Sequence, residues 1–255
     1  MTKFAVLQRT LEVPPIETLK RAFRRTTFLV PLDAFGIARD AFGILVRSLS
    51  QENAVSLQSA LLSEGIETDV VAEENLVPSP PTKFTNRLDC TPEGLMVYDP
   101  IGRGFVVEWQ HVMLVAAGNV LITELKRVEK PRPVPDEDTY RGYSDIPVTE
   151  YSTKEEQTFR FMLEIVLARA VLRYSLNVNS RIPFRYLGER MKPDLSENLS
   201  MVIQDMCNFA PHLAFNRGAY YFREHAAEPF SYPSKNAFSE ETTWLLWQMK
   251  QAGKI

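Results

Sequence analysis

The sequence predicts an α+β protein in which a small β-α-α-β-α-β domain precedes a larger, mainly antiparallel β domain that ends in helices. Three observations support this prediction. Short apolar strands alternate with amphipathic helices over residues 1–77, and short strands with turn signals about every ten residues follow from residue 83. In addition, the 17 prolines outnumber the 11 glycines and gather at two places. A chain of 255 residues is long enough to bury two cores of this kind.

The proline clusters divide the chain. Proline lacks a backbone N–H and restricts the residue before it, so runs of proline fit poorly inside helices and central strands. The first cluster predicts a stiff linker over residues 78–82, between a domain of residues 1–77 and one of residues 83–255. The second cluster, at residues 131–135, is followed by three acidic residues. It predicts another linker or, in the interpretation we prefer, a long loop at residues 127–150 inside the second domain.

The first half of the small domain is predicted to be a strand and two helices. Residues 4–9 form a short apolar strand. Proline is tolerated in the first turn of a helix, and Pro14 and Pro15 open the first one. The apolar face that follows has helical spacing and comprises Ile16, Leu19, Ala22 and Phe23. Residues 32–42 predict the second helix, which Gly43 ends. Its apolar stripe comprises Leu32, Phe35 and either Ala38 or Arg39.

A strand, a third helix and a last strand complete this domain. Residues 44–49 are the strand. Ser50 is a favourable cap for the next helix, because its hydroxyl can accept a hydrogen bond from a free backbone N–H. Gly65 ends that helix, and residues 66–71 alternate like a final strand.

Part of this domain resembles a known family. The resemblance lies in LSQENA at residues 49–54, Leu57, Leu61 and EGIETDV at residues 64–70. In these residues and in the order of elements, the domain is similar to the C-terminal domain of the ribosomal stalk protein, which implies the same fold. That family binds translation GTPases through a lysine-bearing, glycine-rich helical hairpin. The matching stretch here, residues 28–36, has no lysine and one glycine, so the resemblance implies the fold and not the GTPase-binding role.

The second domain begins with short strands, predicted at residues 86–90, 94–99, 105–109 and 120–126. Apolar residues then alternate over residues 159–178, which fits a pair of half-buried strands. One long helix, started by the capping box at residues 152–155, is the alternative. We prefer strands, because the charges at 160, 164, 169 and 173 would spread over more than half of a helix circumference.

A helix is predicted over residues 195–210, after a capping box that starts at Asp194, and it ends before Pro211. Several strands, a long charged loop and one closing helix make residues 82–215 similar to a pleckstrin homology-like barrel. Residues 107–112, where a strand with a tryptophan leads into another apolar strand, also resemble such folds. The resemblance implies an antiparallel β-barrel. It also implies membrane-surface binding as a further alternative function, which the single basic residue in its turn, Arg103, speaks against.

The C-terminal extension is predicted to be a turn at residues 216–219, a strand at 220–222 and a helix capped by residues 239–242. This helix carries four large apolar residues in a row, Trp244, Leu245, Leu246 and Trp247. They cannot all face one side, so the helix either docks into a groove of the main body, which we prefer, or offers part of its surface to a partner. The enrichment of tryptophan at interfaces keeps the second option open.

Composition and spacing exclude several classes of function. With 29 basic and 32 acidic residues the net charge is −3, whereas nucleic-acid binders normally carry a basic excess. The two cysteines and three histidines lack the spacing of a disulfide framework or a metal site. Apolar stretches are too short for a signal peptide or for the ~20 residues of a membrane span. We therefore expect a cytoplasmic protein with no cofactor, no metal, no nucleic acid and no integral membrane association.

Two surfaces are candidate binding sites. One is the basic face of the first helix, and the other is the tryptophan pair of the last helix. Their residues are Lys20, Arg21, Arg24 and Arg25, and Trp244 and Trp247. Two binding-type folds without a catalytic constellation predict a non-catalytic protein-interaction or adaptor protein. Its partner would be another protein, and self-association stays open.

The alternative is a small-molecule-binding or enzymatic site. It would involve Cys207, His212, Asn216 and Arg217, with the thiol as nucleophile. A deep polar pocket that holds these four side chains together would favour the enzyme. Scattered side chains would favour the adaptor.

Overall fold

The computed structural model describes residues 2–29, 31–129, 151–178, 182–224 and 229–255. Its helices and strands confirm the α+β class. The N-terminal unit, residues 2–77, has the predicted order of elements. These are β1 (Phe4–Gln8), α1 (Ile16–Arg24), α2 (Pro31–Asp40), β2 (Ile44–Leu49), α3 (Gln51–Leu62) and β3 (Thr68–Ala72).

The three strands of the N-terminal unit form an antiparallel sheet in the order β2-β1-β3. The three helices pack on one face of it, around a core that includes Leu19, Phe23 and Leu57. Ser50 caps α3 as predicted, since its Oγ accepts a hydrogen bond from the Asn53 N–H at 3.2 Å. The cap and the helix and strand order predicted from the sequence of the N-terminal unit therefore agree with how these elements pack.

Two backbone features precede and interrupt β2. Gly43 has a φ of +71°, and a Cβ there would lie 2.7 Å from the indole of Trp244, so only glycine fits. A β-bulge follows Val46, and Ser48 inside it has a φ of 61°. Bulges bend a strand and redirect its side chains. Arg47 lies in this bulge and pairs with Glu240 near the C-terminal end of the chain.

The rest of the chain contains nine strands and three α-helices within its described residues. The strands are β4 (Thr82–Phe84), β5 (Arg87–Thr91), β6 (Gly94–Tyr98), β7 (Gly104–Val107), β8 (Val112–Glu129), β9 (Tyr151–Leu167), β10 (Arg173–Val178), β11 (Ala214–Phe215) and β12 (Ser231–Tyr232). The helices are α4 (Leu195–Phe209), α5 (Arg217–Arg223) and α6 (Lys235–Gln251).

These strands form two open sheets. One follows the order β11-β8-β9-β10-β4, with β12 also paired to β8, and the other is β5-β6-β7. Among the described residues no closed barrel is found, because β4 pairs only with β10 and β7 pairs only with β6. A closed barrel requires its first and last strands to be hydrogen-bonded to each other, and these edge strands are not. Only the antiparallel character of most of these strands agrees with that prediction.

The alternating segment is confirmed as a strand pair rather than one helix. β9 and β10 are antiparallel, with Leu163 opposite Leu176. A short turn at Ala168–Ala170, in which Arg169 has a φ of 59°, separates them. The predicted loop at 127–150 begins later than expected, because β8 continues to Glu129 and pairs with β9 there. Residues 130–150 lie outside the described part of the chain.

Asp194 caps α4 as predicted, through hydrogen bonds from the N–H groups of Ser196 and Glu197. Three predictions for the C-terminal extension are wrong. The turn predicted at 216–219 is instead the capped start of α5. Residues 220–222 belong to α5 and not to a strand, because the Asn216 side chain caps a helix there and accepts from the Ala219 N–H at 2.9 Å. The last helix begins at Lys235 rather than at 239, because the Ser234 Oγ supplies the cap.

Helix α6 lies between the N-terminal unit and the six-stranded sheet. Trp244 and Trp247 pack against β1 and β2, beside Leu7 and Ile44. From the other side of the helix, Leu246 packs on β8 and β9. The opposite face of that sheet carries α4 and α5. Docking of the last helix is therefore confirmed, whereas the division into two domains stays a prediction.

Candidate functional site

The basic face of α1 exists as the sequence predicts. Leu19, Ala22 and Phe23 are fully buried on one side of the helix. The four basic residues lie on the other side, where Arg21, Arg24 and Arg25 are exposed and Lys20 is half-buried. Helical spacing thus places all four cations on one surface of the N-terminal unit.

Two carboxylates compensate part of this charge. Glu64 accepts Arg21 Nε at 2.8 Å and pairs with Arg25 Nη2 at 2.7 Å, while Lys20 Nζ lies 2.7 Å from Glu17. The hydrogen bond from Lys20 lowers the pKa of the Glu17 carboxyl. Four cations against two carboxylates leave a net charge of +2.

Arg24 is the least engaged member of the basic face, although its charge contributes to the lowered pKa of the Glu17 carboxyl. Its guanidinium is exposed and, within the described residues, makes no hydrogen bond and no ion pair within 4 Å. Its guanidinium, which stays charged and presents five donors in a fixed fork, suits a carboxylate or another anion. The basic face therefore presents one guanidinium without a close partner beside three cations that are paired with carboxylates.

An aromatic ring joins the basic face, and the sequence did not predict it. Phe35 in α2 is 54% exposed, and Lys20 Nζ lies 4.6 Å from the centre of its ring. Sequence spacing placed Phe35 in the apolar stripe together with Ala38. Among residues 34–40, Ala34 and Ala38 are buried and Phe35 is not. The surface is thus basic and aromatic, a combination common at protein interfaces.

A cleft of about 410 Å³ lies between α2, β2 and the start of α6. Arg47, redirected by the bulge in β2, donates from Nε to both carboxylate oxygens of Glu240 at 2.8 and 2.7 Å and closes one side. Gly36 and Ile37 line the side formed by α2.

Gly36 is not required by the fold. A Cβ at this position would meet no atom within 4 Å. Glycine inside a helix costs about 0.5–1 kcal/mol relative to alanine. We therefore expect Gly36→Ala to raise the free energy of unfolding by about that amount, measured by urea denaturation. Gly43→Ala, which forces a Cβ against Trp244, should lower it, and a destabilised Gly36→Ala would contradict the described space around α2.

Trp244 and Trp247 form no partner surface. Trp244 is 1% exposed and Trp247 is 8% exposed. The Trp244 Nε1–H donates to the Gln8 carbonyl at 2.9 Å, and its ring meets that of Phe42 edge-on at 5.4 Å. The sequence offered these residues as candidate binding residues, whereas in the structure they hold α6 to the N-terminal unit.

The four residues of the alternative enzymatic site are scattered. The Asn216 side chain is fully buried and bonds the backbone of Ala117, at 2.9 Å from its N–H and 3.1 Å from its carbonyl. His212 Nε2 lies 3.1 Å from the Val112 carbonyl. Cys207 is on α4, and the burial of its thiol raises its pKa. A thiol with a raised pKa is a poor nucleophile, so this set does not form a catalytic group.

Arg217 and Asn216 instead belong to a buried polar network that the sequence did not predict. Glu241, 1% exposed, accepts from the Arg217 N–H at 2.7 Å, from Arg217 Nε at 2.9 Å and from the Tyr232 hydroxyl at 2.9 Å. Asn216 Nδ2 donates to the same hydroxyl at 2.8 Å. The Arg217 guanidinium also lies 3.4 Å from the centre of the Phe42 ring. This network joins α5, β12 and α6 to the N-terminal unit.

The described residues offer few other features of a metal, catalytic or membrane-binding site. They contain no group of three or more His, Cys, Asp or Glu side chains that could hold a metal ion. Burial raises the pKa of the Cys90 thiol to about 12, which keeps it protonated. Arg103, the basic residue of the proposed membrane-binding turn, is paired with Asp99 at 2.8 Å. None of the described helices is both long and apolar enough to cross a membrane.

Comparison of the chain with protein-family models, curated proteins and solved structures finds no match in any of the three. The resemblances to the ribosomal stalk domain and to pleckstrin homology-like folds therefore stay predictions.

Proposed function

We propose that the protein is a non-catalytic interaction protein that binds an acidic segment of another protein through the basic face of α1 and Phe35. The observation that carries the proposal is the exposed guanidinium of Arg24, which makes no close ion pair or hydrogen bond within the described residues. A carboxylate of the partner would complete its contacts, as Glu64 does for Arg21 and Arg25.

The surroundings of Arg24 support this proposal. Fixed positive charge with a net value of +2 attracts an acidic partner and speeds encounter. The half-exposed Phe35 ring adds apolar contact area next to it, and aromatic and arginine side chains are the usual anchors of interfaces. The scattered positions of Cys207, His212 and Arg217 remove the observation that would favour an enzyme.

Charge reversal at Arg24 tests the proposal. Tagged full-length protein is used to capture partners from native lysate, and bound proteins are identified by mass spectrometry. We expect Arg24→Glu to lose a set of acidic proteins that the wild type retains, and raised salt to release the same set, because the contact is electrostatic.

Lys254→Glu is the matched control, since Lys254 is an exposed cation in a different part of the chain. It makes the same change of charge and should retain the wild-type set. Identical captured sets from Arg24→Glu and the wild type, or equal losses from both variants, would refute binding through this face.

A further inference from the structure

The edge of the N-terminal sheet at β3 is regular and, within the described residues, has no strand beside it. β3 pairs with β1 at five consecutive positions without a register shift, and no other described strand pairs with β3. The opposite edge, β2, carries the bulge with Ser48, and a bulge discourages pairing with a further strand. β3 itself contains no bulge and no proline. It is therefore the edge of this sheet that can accept another strand.

The register shows which backbone groups of β3 are free. The Arg9 N–H donates to the Glu67 carbonyl at 3.1 Å. In an antiparallel pair, residues that bond the neighbouring strand alternate with residues that do not. Asp69 and Val71 therefore bond β1, whereas Val70 directs its N–H and its carbonyl away from β1. A strand added at this edge can exchange two main-chain hydrogen bonds with Val70.

A cleft of about 490 Å³, the Gln248 cleft, lies beside this edge on the face covered by α6. Val71 belongs to that face, since it packs in the cluster that contains Trp247. Asp69, two residues earlier, is on the same face. Gln248 and Gln251 of α6 line the other side of the cleft. A side chain that enters it would meet a carboxylate and two amides.

A second cleft of about 360 Å³, the Thr68 cleft, lies beside the opposite face of the sheet, next to α3. Gln58, Leu62 and Thr68 are among the residues that line it. The Thr68 hydroxyl is buried and has no hydrogen-bond partner within the described residues. Since an unpaired buried hydroxyl is unfavourable, a polar group of a ligand in this cleft would be stabilised there.

We propose that β3 binds an extended segment of another protein, which adds as an antiparallel strand at Val70 and carries a lysine or arginine opposite Asp69. The residue opposite Val70 exchanges both main-chain hydrogen bonds with it and faces the Thr68 cleft, because Val70 itself packs on that side of the sheet. Its two neighbours face the Gln248 cleft, since side chains alternate along a strand. Main-chain bonds supply affinity, and the two clefts supply specificity.

Charge favours a basic side chain opposite Asp69. Arg9 donates from Nε and Nη2 to the same oxygen, Oδ1, at 2.9 and 2.6 Å, so Oδ2 accepts no hydrogen bond within the described residues. Glu67, on the same face, lies 3.9 Å from this guanidinium. Two carboxylates against one guanidinium leave a net charge of −1. A cross-strand cation would complete the pairing, and such pairs stabilise a sheet.

The acidic residues around β3 disfavour a second copy of the chain as the occupant. Two β3 strands paired antiparallel about Val70 would set Glu67 of each copy opposite Glu73 of the other, because both residues are three positions from Val70. Like charges directly opposite each other destabilise a sheet. An extended segment with a basic side chain avoids this repulsion.

Fluorescence anisotropy with a labelled peptide and the full chain tests the proposal. The probe is a blocked seven-residue peptide in which threonine, which faces the Thr68 cleft, alternates with valine and one central lysine. We expect the wild type to bind it with a Kd of roughly 100 μM. Replacing the lysine by glutamate should weaken binding at least about threefold, because the cross-strand pair with Asp69 becomes repulsive.

Val70→Pro tests the edge itself. Proline removes an N–H that points away from β1, so the bonds between β1 and β3 remain. We expect this variant to bind the peptide at least about tenfold more weakly than the wild type. Val70→Ala is the matched control, because it also shortens the side chain that packs beside α3 but keeps the N–H. It should bind within about threefold of the wild type, and a circular dichroism melt checks that both variants stay folded.

A wild type that does not bind the lysine peptide at up to roughly 1 mM chain would overturn the proposal. Equal affinities of Val70→Pro and Val70→Ala, or of the wild type for the lysine and glutamate peptides, would overturn it as well. So would a wild type that dimerises in sedimentation velocity when Val70→Pro does not, since a second copy would then be the occupant. None of these outcomes bears on the capture experiment with Arg24→Glu, because that surface is on α1.

Discussion

Trp244→Ala is expected to lower the free energy of unfolding by about 3–5 kcal/mol, the usual cost of removing a large buried aromatic side chain. Trp244 is 1% exposed and fills the contact between α6 and the N-terminal unit. Its loss leaves a cavity beside Phe42 and removes the hydrogen bond to the Gln8 carbonyl. Urea denaturation followed by circular dichroism measures the change.

Trp244→Phe separates the two contributions. It keeps most of the apolar contact but leaves the Gln8 carbonyl without its donor, which costs about 1–3 kcal/mol when the group is buried. We expect its stability to lie between those of the wild type and of Trp244→Ala. If Trp244→Ala denatures like the wild type, α6 does not dock on the N-terminal unit.

Glu241→Ala is the second variant for which we expect a large effect, about 3–5 kcal/mol of destabilisation. Removing one partner of a buried ion pair leaves the other charge unpaired in a poorly hydrated place. Here Arg217 would lose the acceptor for both its backbone N–H and its Nε, and the Tyr232 hydroxyl would lose its acceptor as well. Denaturation in urea again gives the free-energy difference.

Two further variants make this test specific. Glu241→Gln keeps the shape and one acceptor oxygen, so we expect a smaller loss, about 2 kcal/mol. Glu74→Ala removes an exposed carboxylate of the N-terminal unit and should change stability by less than about 0.5 kcal/mol. A Glu241→Ala variant as stable as Glu74→Ala would show that the buried network does not form.

Local signals in the sequence were sufficient for many elements. Ser50 and Asp194 cap helices where the sequence places them, because capping depends on neighbouring backbone groups alone. The alternation of apolar residues over β9 and β10 predicted strands correctly, because successive side chains of a strand point to opposite faces of the sheet. Asn216 shows where local signals are ambiguous. Asparagine favours both turns and helix caps, and the three aromatic residues at 220–222 fit a strand as well as a helix. The Asn216 cap and the packing of α5 on β8, where Gly218 lies against Ala117, together favour the helix.

Only part of the candidate site could be predicted from the sequence. The spacing of Lys20, Arg21, Arg24 and Arg25 predicts one face, but Glu64 pairs with two of them from a position about forty residues away. Which arginine lacks a close carboxylate partner therefore depends on tertiary structure. The exposure of Phe35 depends on it too, since helical spacing fits Phe35 and Ala34 to the core about equally well. The network around Glu241 has no local signal in the sequence.

The contact between Trp244 and Gln8 has a consequence for synthesis on the ribosome. The two residues are 236 positions apart in the chain. At about 5–20 residues per second, β1 waits roughly 10 to 50 s after its own translation before α6 emerges to cover it. During that interval the apolar side of the first sheet, with Leu7 and Ile44, faces water or a chaperone. Nascent chains stalled before residue 235 should therefore be more prone to aggregate than the finished protein.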